Sequence, residues 1–160
     1  MRKAWMLILA RTQRLYTFEN NALIAIYPVS TAKNGLGEKM GSECTPRGLH
    51  QVHSVIGQDL PINSVFVARH FTGEIFSYKL AKQFPRRDWI LSRIIRLDGL
   101  LKGFNKGGDV DTFARYIYIH GTPEPMAENK PLSHGCIRMK NKDILDLANW
   151  VYKGMRLYIR

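Results

Sequence analysis

Between residues 115 and 139 the sequence reads RYIYIHGTPEPMAENKPLSHGCIRM, and polar residues gather there that a hydrophobic core would not need. Three of them can do chemistry together: His120, His134 and Cys136. A cysteine attacks acyl carbon as its thiolate, and a free thiol with a pKa of about 8.5 is mostly protonated near neutrality. Something must take its proton. Lowering the thiol pKa by about two units asks for about 2.7 kcal/mol of preferential thiolate stabilisation, within reach of one imidazolium at hydrogen-bonding distance. Either histidine can supply it. His134 lies two residues before Cys136, and i and i+2 share a face in extended backbone, whereas His120 returns across the intervening loop if two strand ends are neighbours. Gly135 removes a side chain beside the nucleophile, so adjacent backbone N–H groups can point at a developing oxyanion. Thiol, base and oxyanion donors are the parts of an acyl transfer.

The elements that must position these groups are mostly strands. Residues 116–119 alternate and are expected to form a strand ending at His120, and Ser133 opens the turn that ends at Cys136, after a loop holding Pro123, Pro125 and Pro131. Upstream, residues 5–9 read as a buried strand that places Trp5, Leu7 and Leu9 in the interior. Residues 14–19 and 23–27 flank Asn20-Asn21, a pair that tolerates the left-handed backbone of a hairpin turn. Residues 30–46 carry three glycines and few apolar side chains and are expected to be a long mobile connection. Residues 49–56, 64–68, 74–78 and 89–97 follow as strands separated by turn residues such as Asp98-Gly99. Near the end the period changes. Ile144, Leu145, Ala148, Val151 and Tyr152 recur at helical spacing, with Asn141 placed to cap the start and Gly154 the finish, and residues 155–160 alternate as a closing strand. The expected fold is mainly β, a sandwich or barrel with one C-terminal helix.

Bulk composition bounds the rest. At 160 residues, 45% hydrophobic and 11% aromatic, the chain is expected to fold as one domain spanning residues 1–160. No apolar run approaches a membrane span. The N-terminal MRK followed by seven apolar residues imitates a signal peptide, but the run is short and lacks a convincing cleavage site, so it is expected to be retained as the first strand. Lys and Arg number 24 against 13 Asp and Glu, for a net charge of +11, which favours anionic partners. Nucleic acid is disfavoured because the basic residues are dispersed and no nucleic-acid-binding motif occurs. Two cysteines make neither a disulfide scaffold nor a zinc module, and no metal or organic cofactor is expected. Cys44 reads as an unpaired structural residue. His50, His53 and His70 receive no role, Arg93, Arg96 and Asp98 read as strand and turn residues, and Tyr16, Phe18, Tyr116 and Tyr118 read as core packing.

The string SHGCIR, with YIYIHGT ending two residues past a histidine sixteen positions before the cysteine, closely resembles the signature of the L,D-transpeptidase catalytic domain, also called the YkuD domain. TPRG at residues 45–48, WILSRIIRLDGL at 89–100 and DTFARYIYIHGT at 111–122 look like the same family, so the resemblance covers nearly the whole chain. It implies a YkuD-type β-sandwich and a two-step reaction on peptidoglycan tetrapeptide stems, or on muropeptides. The cysteine is acylated with loss of terminal D-alanine, and an amine of a neighbouring stem then takes the acyl group. Cys136 falls on the family nucleophile and His120 on its base, with Gly121 where a backbone carbonyl orients that base. His134, Gly135 and Cys136 fall on the backbone oxyanion site, and Ser133 and Arg138 on the substrate side. Acylation of the nucleophile by carbapenems is implied as well. His120 has the more rigid mount, whereas a base at His134 would burden one short loop with all three roles. Alternatives are hydrolysis by the same site, as an L,D-carboxypeptidase or endopeptidase, and a non-catalytic binder of anionic polymers. The resemblance implies a cell-envelope or periplasmic enzyme, whereas the N-terminus is compatible with the cytoplasm. The oligomeric state is not legible.

Overall fold

The computed structural model describes residues 2–126 and 129–160. Strands β1 (Ala4–Leu9), β2 (Arg14–Glu19) and β3 (Ala22–Pro28) open the chain, followed by β4 (Gly48–Ile56), β5 (Ser64–Val67) and β6 (His70–Ile75). A short helix α1 (Tyr78–Gln83) precedes the long β7 (Ile90–Gly99), and the chain closes through β8 (Tyr118–Thr122), β9 (Ile137–Lys140), α2 (Asn141–Trp150) and β10 (Arg156–Ile159). All ten strands belong to one curled sheet of order β3-β2-β1-β10-β4-β7-β5-β6, from which β8 branches off β7 and carries β9. The curl brings inner-face side chains from distant strands together: Met6, Leu15, Ile95, Ile119, Ile137 and Leu157 are sealed from solvent in one cluster with Ile144 and Leu147 of α2. The mainly β architecture with its C-terminal helix is thus as expected, with α1 as a second helix. Among the described residues no helix is long and apolar enough to cross a membrane.

Several local expectations change. The β1–β2 and β2–β3 hairpins form, and Asn20 and Asn21 take φ of 48° and 66°, as the turn between β2 and β3 requires. The face of β1 is reversed, however. Ala4, Met6 and Ile8 are buried, while Trp5 stacks on Phe18 at 4.2 Å on the outer face. Because every residue from 4 to 10 is apolar, strand alternation alone could not choose the inner face. Residues 74–78 do not form a strand of their own; β6 ends at Ile75, and Ser77 caps α1 by accepting from Leu80 N–H at 3.1 Å. In α2, Asn141 is the first helical residue rather than the cap, and its side chain is turned inward.

The connection at residues 30–46 is not a loose tether. Ser30 exchanges backbone hydrogen bonds with Arg138, Lys33 N–H donates to the Ser133 carbonyl, and Ser133 N–H donates to that of Thr31. Thr45 Oγ1 accepts from Ala32 N–H and donates to the Gly135 carbonyl at 2.8 Å. Backbone groups, which composition does not reveal, bind this segment to the loop carrying Cys136.

Candidate active site

The parallel pair β8 and β9 sets Ile119 beside Ile137 and His120 beside Arg138. Since side chains alternate, one face of the pair sends Ile119, Ile137 and Met139 into the core. The other presents Tyr118, His120, Cys136 and Arg138 to a cleft of about 500 Å³. Cys136 stands one residue before β9, where its sulfur accepts from Tyr118 N–H at 3.3 Å and its thiol points to the Tyr116 carbonyl at 3.5 Å. His120 therefore lies inside a strand rather than at its end: β8 begins at Tyr118, after Tyr116 turns the chain with φ of 57°.

His120 is buried, and its Nδ1–H donates to the Gly121 carbonyl at 2.7 Å. A carbonyl only accepts, so this bond keeps the proton on Nδ1 and leaves Nε2 with a free lone pair. Gly121 is required by close approach. A Cβ there would lie 2.4 Å from Asn141 Oδ1 and 2.5 Å from the Leu91 carbonyl. Asn141 clamps this region from α2, donating to the Thr122 carbonyl at 2.9 Å and accepting from Ser92 Oγ at 2.6 Å.

The loop carrying Cys136 is held from within. The Ser133 hydroxyl donates to the Cys136 carbonyl and accepts from Gly135 N–H, and Ser133 is buried. Gly135 has φ of 132°, and a Cβ on it would sit 3.1 Å from Ile117 Cδ1. His134 is exposed on the cleft wall. Arg138 pairs loosely with Asp88 at 3.4 Å.

Burial pushes the Cys136 thiol up to about 11, opposed by the Tyr118 N–H and by the charges of Arg138 and Arg115, with Asp88 pushing further upward. Burial likewise pushes His120 below the ordinary imidazole value, with Arg138 acting the same way and the Gly121 carbonyl and Asp88 opposing. Burial thus disfavours the charged form of both groups, the opposite direction to the thiolate stabilisation that an imidazolium would supply.

Other cleft residues were not anticipated. Tyr116 is 53% exposed, and Tyr118 reaches Arg69 with its hydroxyl at 3.0 Å, so both line the cleft instead of merely packing. Arg69 sits at the β5–β6 turn, where it and Ala68 have φ of 70° and 45°, and its guanidinium lies 4.4 Å from the Tyr116 ring centre. Arg115, which lines the cleft, is anchored by the Cys44 carbonyl at 2.7 Å and that of Glu38 at 3.1 Å. Alternation along β8 could have pointed to Tyr118, two residues from His120; nothing local could have found Arg69 or Asp88. Cys44 is unpaired, its thiol directed at the Asn34 and Ser42 carbonyls. His50 is buried between the Gly48 carbonyl and Thr112 Oγ1, His53 packs on Phe113 and His70 is exposed. Arg93 and Arg96 do not line the cleft: the first lies against the Ser92 and Gln58 carbonyls, and the second over Phe113 at 4.1 Å and 5.9 Å from the ring centre of Tyr118. Among the described residues no three His, Cys, Asp or Glu side chains gather as metal ligands do.

Comparison with known proteins gives the same geometry a family. The Bacillus licheniformis protein named for L,D-transpeptidase YkuD is 51% identical over 86 residues, which are 51% of this chain and 47% of that one. An L,D-transpeptidase structure from Mycobacterium smegmatis superposes on 99% of this chain and 59% of its own with a TM-score of 0.62 at 13% identity. L,D-transpeptidase 3 of Mycobacterium tuberculosis, solved with a faropenem-derived adduct, covers 99% and 60% with a TM-score of 0.60 at 14% identity. At such identities the two structures speak to the fold. The match to the relatives spans about half to three-fifths of their own length. Residues 3–159 match the L,D-transpeptidase catalytic domain family, and the chain belongs to it.

Proposed function

We propose that the chain folds as a single catalytic domain that works as a peptidoglycan L,D-transpeptidase through a thioester on Cys136. The observation that carries this reading is the joint placement of Cys136 and His120 on the cleft face of β8 and β9, with the His120 Nδ1–H committed to Gly121. A tetrapeptide stem enters with its acyl carbon at Cys136 Sγ. His120 Nε2 takes the thiol proton as sulfur attacks, so ion formation is deferred until the carbonyl carbon is in place. The oxyanion then forms beside the nucleophile loop, where the His134 and Cys136 N–H groups are its donors, since Gly135 N–H already serves Ser133. His120 returns the proton to the departing D-alanine nitrogen, leaving the thioester. An amine of a second stem attacks that carbon, one of its protons passes through His120 to the sulfur as the C–S bond breaks, and the crosslink forms.

Arg138, Arg115 and Arg69 ring the cleft with positive charge suited to the stem's carboxylates, in keeping with the chain's net charge of +11. Ser133 acts on the substrate only through the loop it shapes. The same thiol would open a carbapenem ring to an acyl-enzyme, as the faropenem-derived adduct of the mycobacterial relative suggests by analogy. Incubation with peptidoglycan followed by mass spectrometry of the digested muropeptides tests the proposal. Crosslinked or D-amino-acid-exchanged products support it; trimmed tripeptides alone would make the enzyme an L,D-carboxypeptidase, and unchanged muropeptides would refute thioester chemistry.

A further inference from the structure

The amine that resolves the thioester arrives at neutral pH as an ammonium ion, and a chain of net charge +11 repels it. We infer that Asp88 receives that ammonium and that the groove beside it, floored by Trp89, Thr122 and Pro123, is the seat of the acyl acceptor. The inference rests on the transpeptidase reading of the site.

Charge is distributed unequally across the cleft. Arg69, Arg115 and Tyr116 line one part of it, whereas Asp88 is the one carboxylate among the described residues lining it. A second groove of about 280 Å³ shares Asp88 and Arg138 with the cleft and continues over Arg87, Trp89, Thr122 and Pro123. An occupant of this groove has Asp88 at its junction with the catalytic cleft. Asp88 also contributes to the electrostatic environment of both His120 and Cys136, which places it within working range of the reacting pair.

Asp88 is, moreover, available. Its side chain is 59% exposed, and Arg138 meets it only at 3.4 Å, longer than the 2.7–2.9 Å typical of strong charge-assisted bonds. The neighbouring Arg87 does not compete, because both of its terminal nitrogens are committed to Glu74, at 2.7 and 3.2 Å. Its guanidinium lies 4.7 Å from the Trp89 ring centre, completing a wall that can hold the apolar stem of an aminoalkyl side chain.

The chemistry balances without a further reagent. The bound ammonium releases one proton to water past the exposed Asp88 carboxylate and becomes a neutral amine. Its nitrogen attacks the thioester carbon, a second proton moves through His120 to sulfur, the C–S bond breaks, and an amide and the free Cys136 thiol result.

The test measures how the acyl-enzyme formed from a tetrapeptide donor partitions between amide and hydrolysed product as acceptor is raised. Two acceptors are compared: Nα-acetyl-lysine amide, which is an ammonium at neutral pH, and hydroxylamine, which is uncharged there. In Asp88→Asn the concentration of the lysine acceptor giving half-capture should rise about three- to fivefold, the upper end for one exposed ion pair. Half-capture by hydroxylamine should shift by less than about twofold by the same argument, and Asp88→Glu should restore lysine capture. An equal rise for both acceptors would mean that Asp88 acts only through His120, and no rise would mean that the ammonium binds elsewhere; either overturns the inference. Wild-type protein that forms the acyl-enzyme but yields no amide at any amine concentration would overturn it while leaving thioester chemistry standing. Wild-type protein that never forms the acyl-enzyme would remove the parent reading.

Discussion

Burial disfavours the charged forms of Cys136 and His120, and that has consequences at the bench. With its thiol pushed up to about 11, Cys136 should react slowly with iodoacetamide at pH 7 and increasingly fast as pH rises toward that value. A rate that plateaus below pH 8 would contradict a thiol raised by burial. His120 must be unprotonated to act, and its pKa lies below the ordinary imidazole value, so acylation by substrate should be flat around neutrality and fall only on acidification below about 6.5. His120→Ala should lower the acylation rate by about 100-fold or more, and His134→Ala by much less, since His134 stands exposed on the wall. Stopped-flow acylation of the two variants checks the order; the reverse order would move the base to His134. These residues were legible in sequence because one short string holds thiol, both histidines and the glycines. The burial that disfavours their charged forms was not legible, since it comes in part from residues such as Ile94 and Phe66 that the string does not contain.

At the scale of the elements, β8 and β9 fix the chemistry and α2 fixes β8. Gly121→Ala would drive a methyl group into the Asn141 side chain and the Leu91 carbonyl, and overpacking of this kind costs about 1–3 kcal/mol. The loss should appear as a lower urea midpoint, together with reduced acylation because His120 loses its fixed orientation; an unchanged midpoint would show that the clamp is slack. The N-terminal strand offers a cleaner comparison. Met6 is sealed inside and Leu7 half-buried on the outer face, so Met6→Ala should cost about 2–5 kcal/mol and Leu7→Ala considerably less. The opposite ranking would restore the inner face read from sequence. Strand existence was readable at β1, β4 and β7 from their β-rich runs, but the inner face of β1 was not, because its apolar residues do not alternate with polar ones. Helix α1 escaped because six residues with no buried side chain leave no periodic stripe. Arg69 and Asp88 reach the cleft through the curl of the sheet, from turns more than 45 residues before Cys136.

The molecule as a whole is one sheet rolled over a core, with a positive cleft where the roll opens on β8 and β9. Its stability should carry the signature of His50, buried on β4 between the Gly48 carbonyl and Thr112 and pushed down to about 4. The unfolded chain takes up this proton near pH 6.5 and the folded chain only near 4, so the stability that His50 contributes is complete above about 6.5 and is lost as pH falls toward 4, by about 3 kcal/mol. Urea titrations of wild type and His50→Gln between pH 7 and 4 should show a shallower decline in the variant; parallel declines would assign the acid sensitivity to other groups. The mainly β class and the family were legible because the matching strings run from the turn at residue 45 to Arg138, whereas the packing of residues 30–46 against the loop carrying Cys136 was carried by backbone bonds that no side-chain pattern announces. The central claim is the thioester, and the presence of two free cysteines makes it directly testable. Intact-protein mass spectrometry after incubation with a carbapenem, followed by peptide mapping, should find a single adduct on the peptide containing Cys136, and none in a folded Cys136→Ala variant. No adduct, or one carried by Cys44, would contradict it.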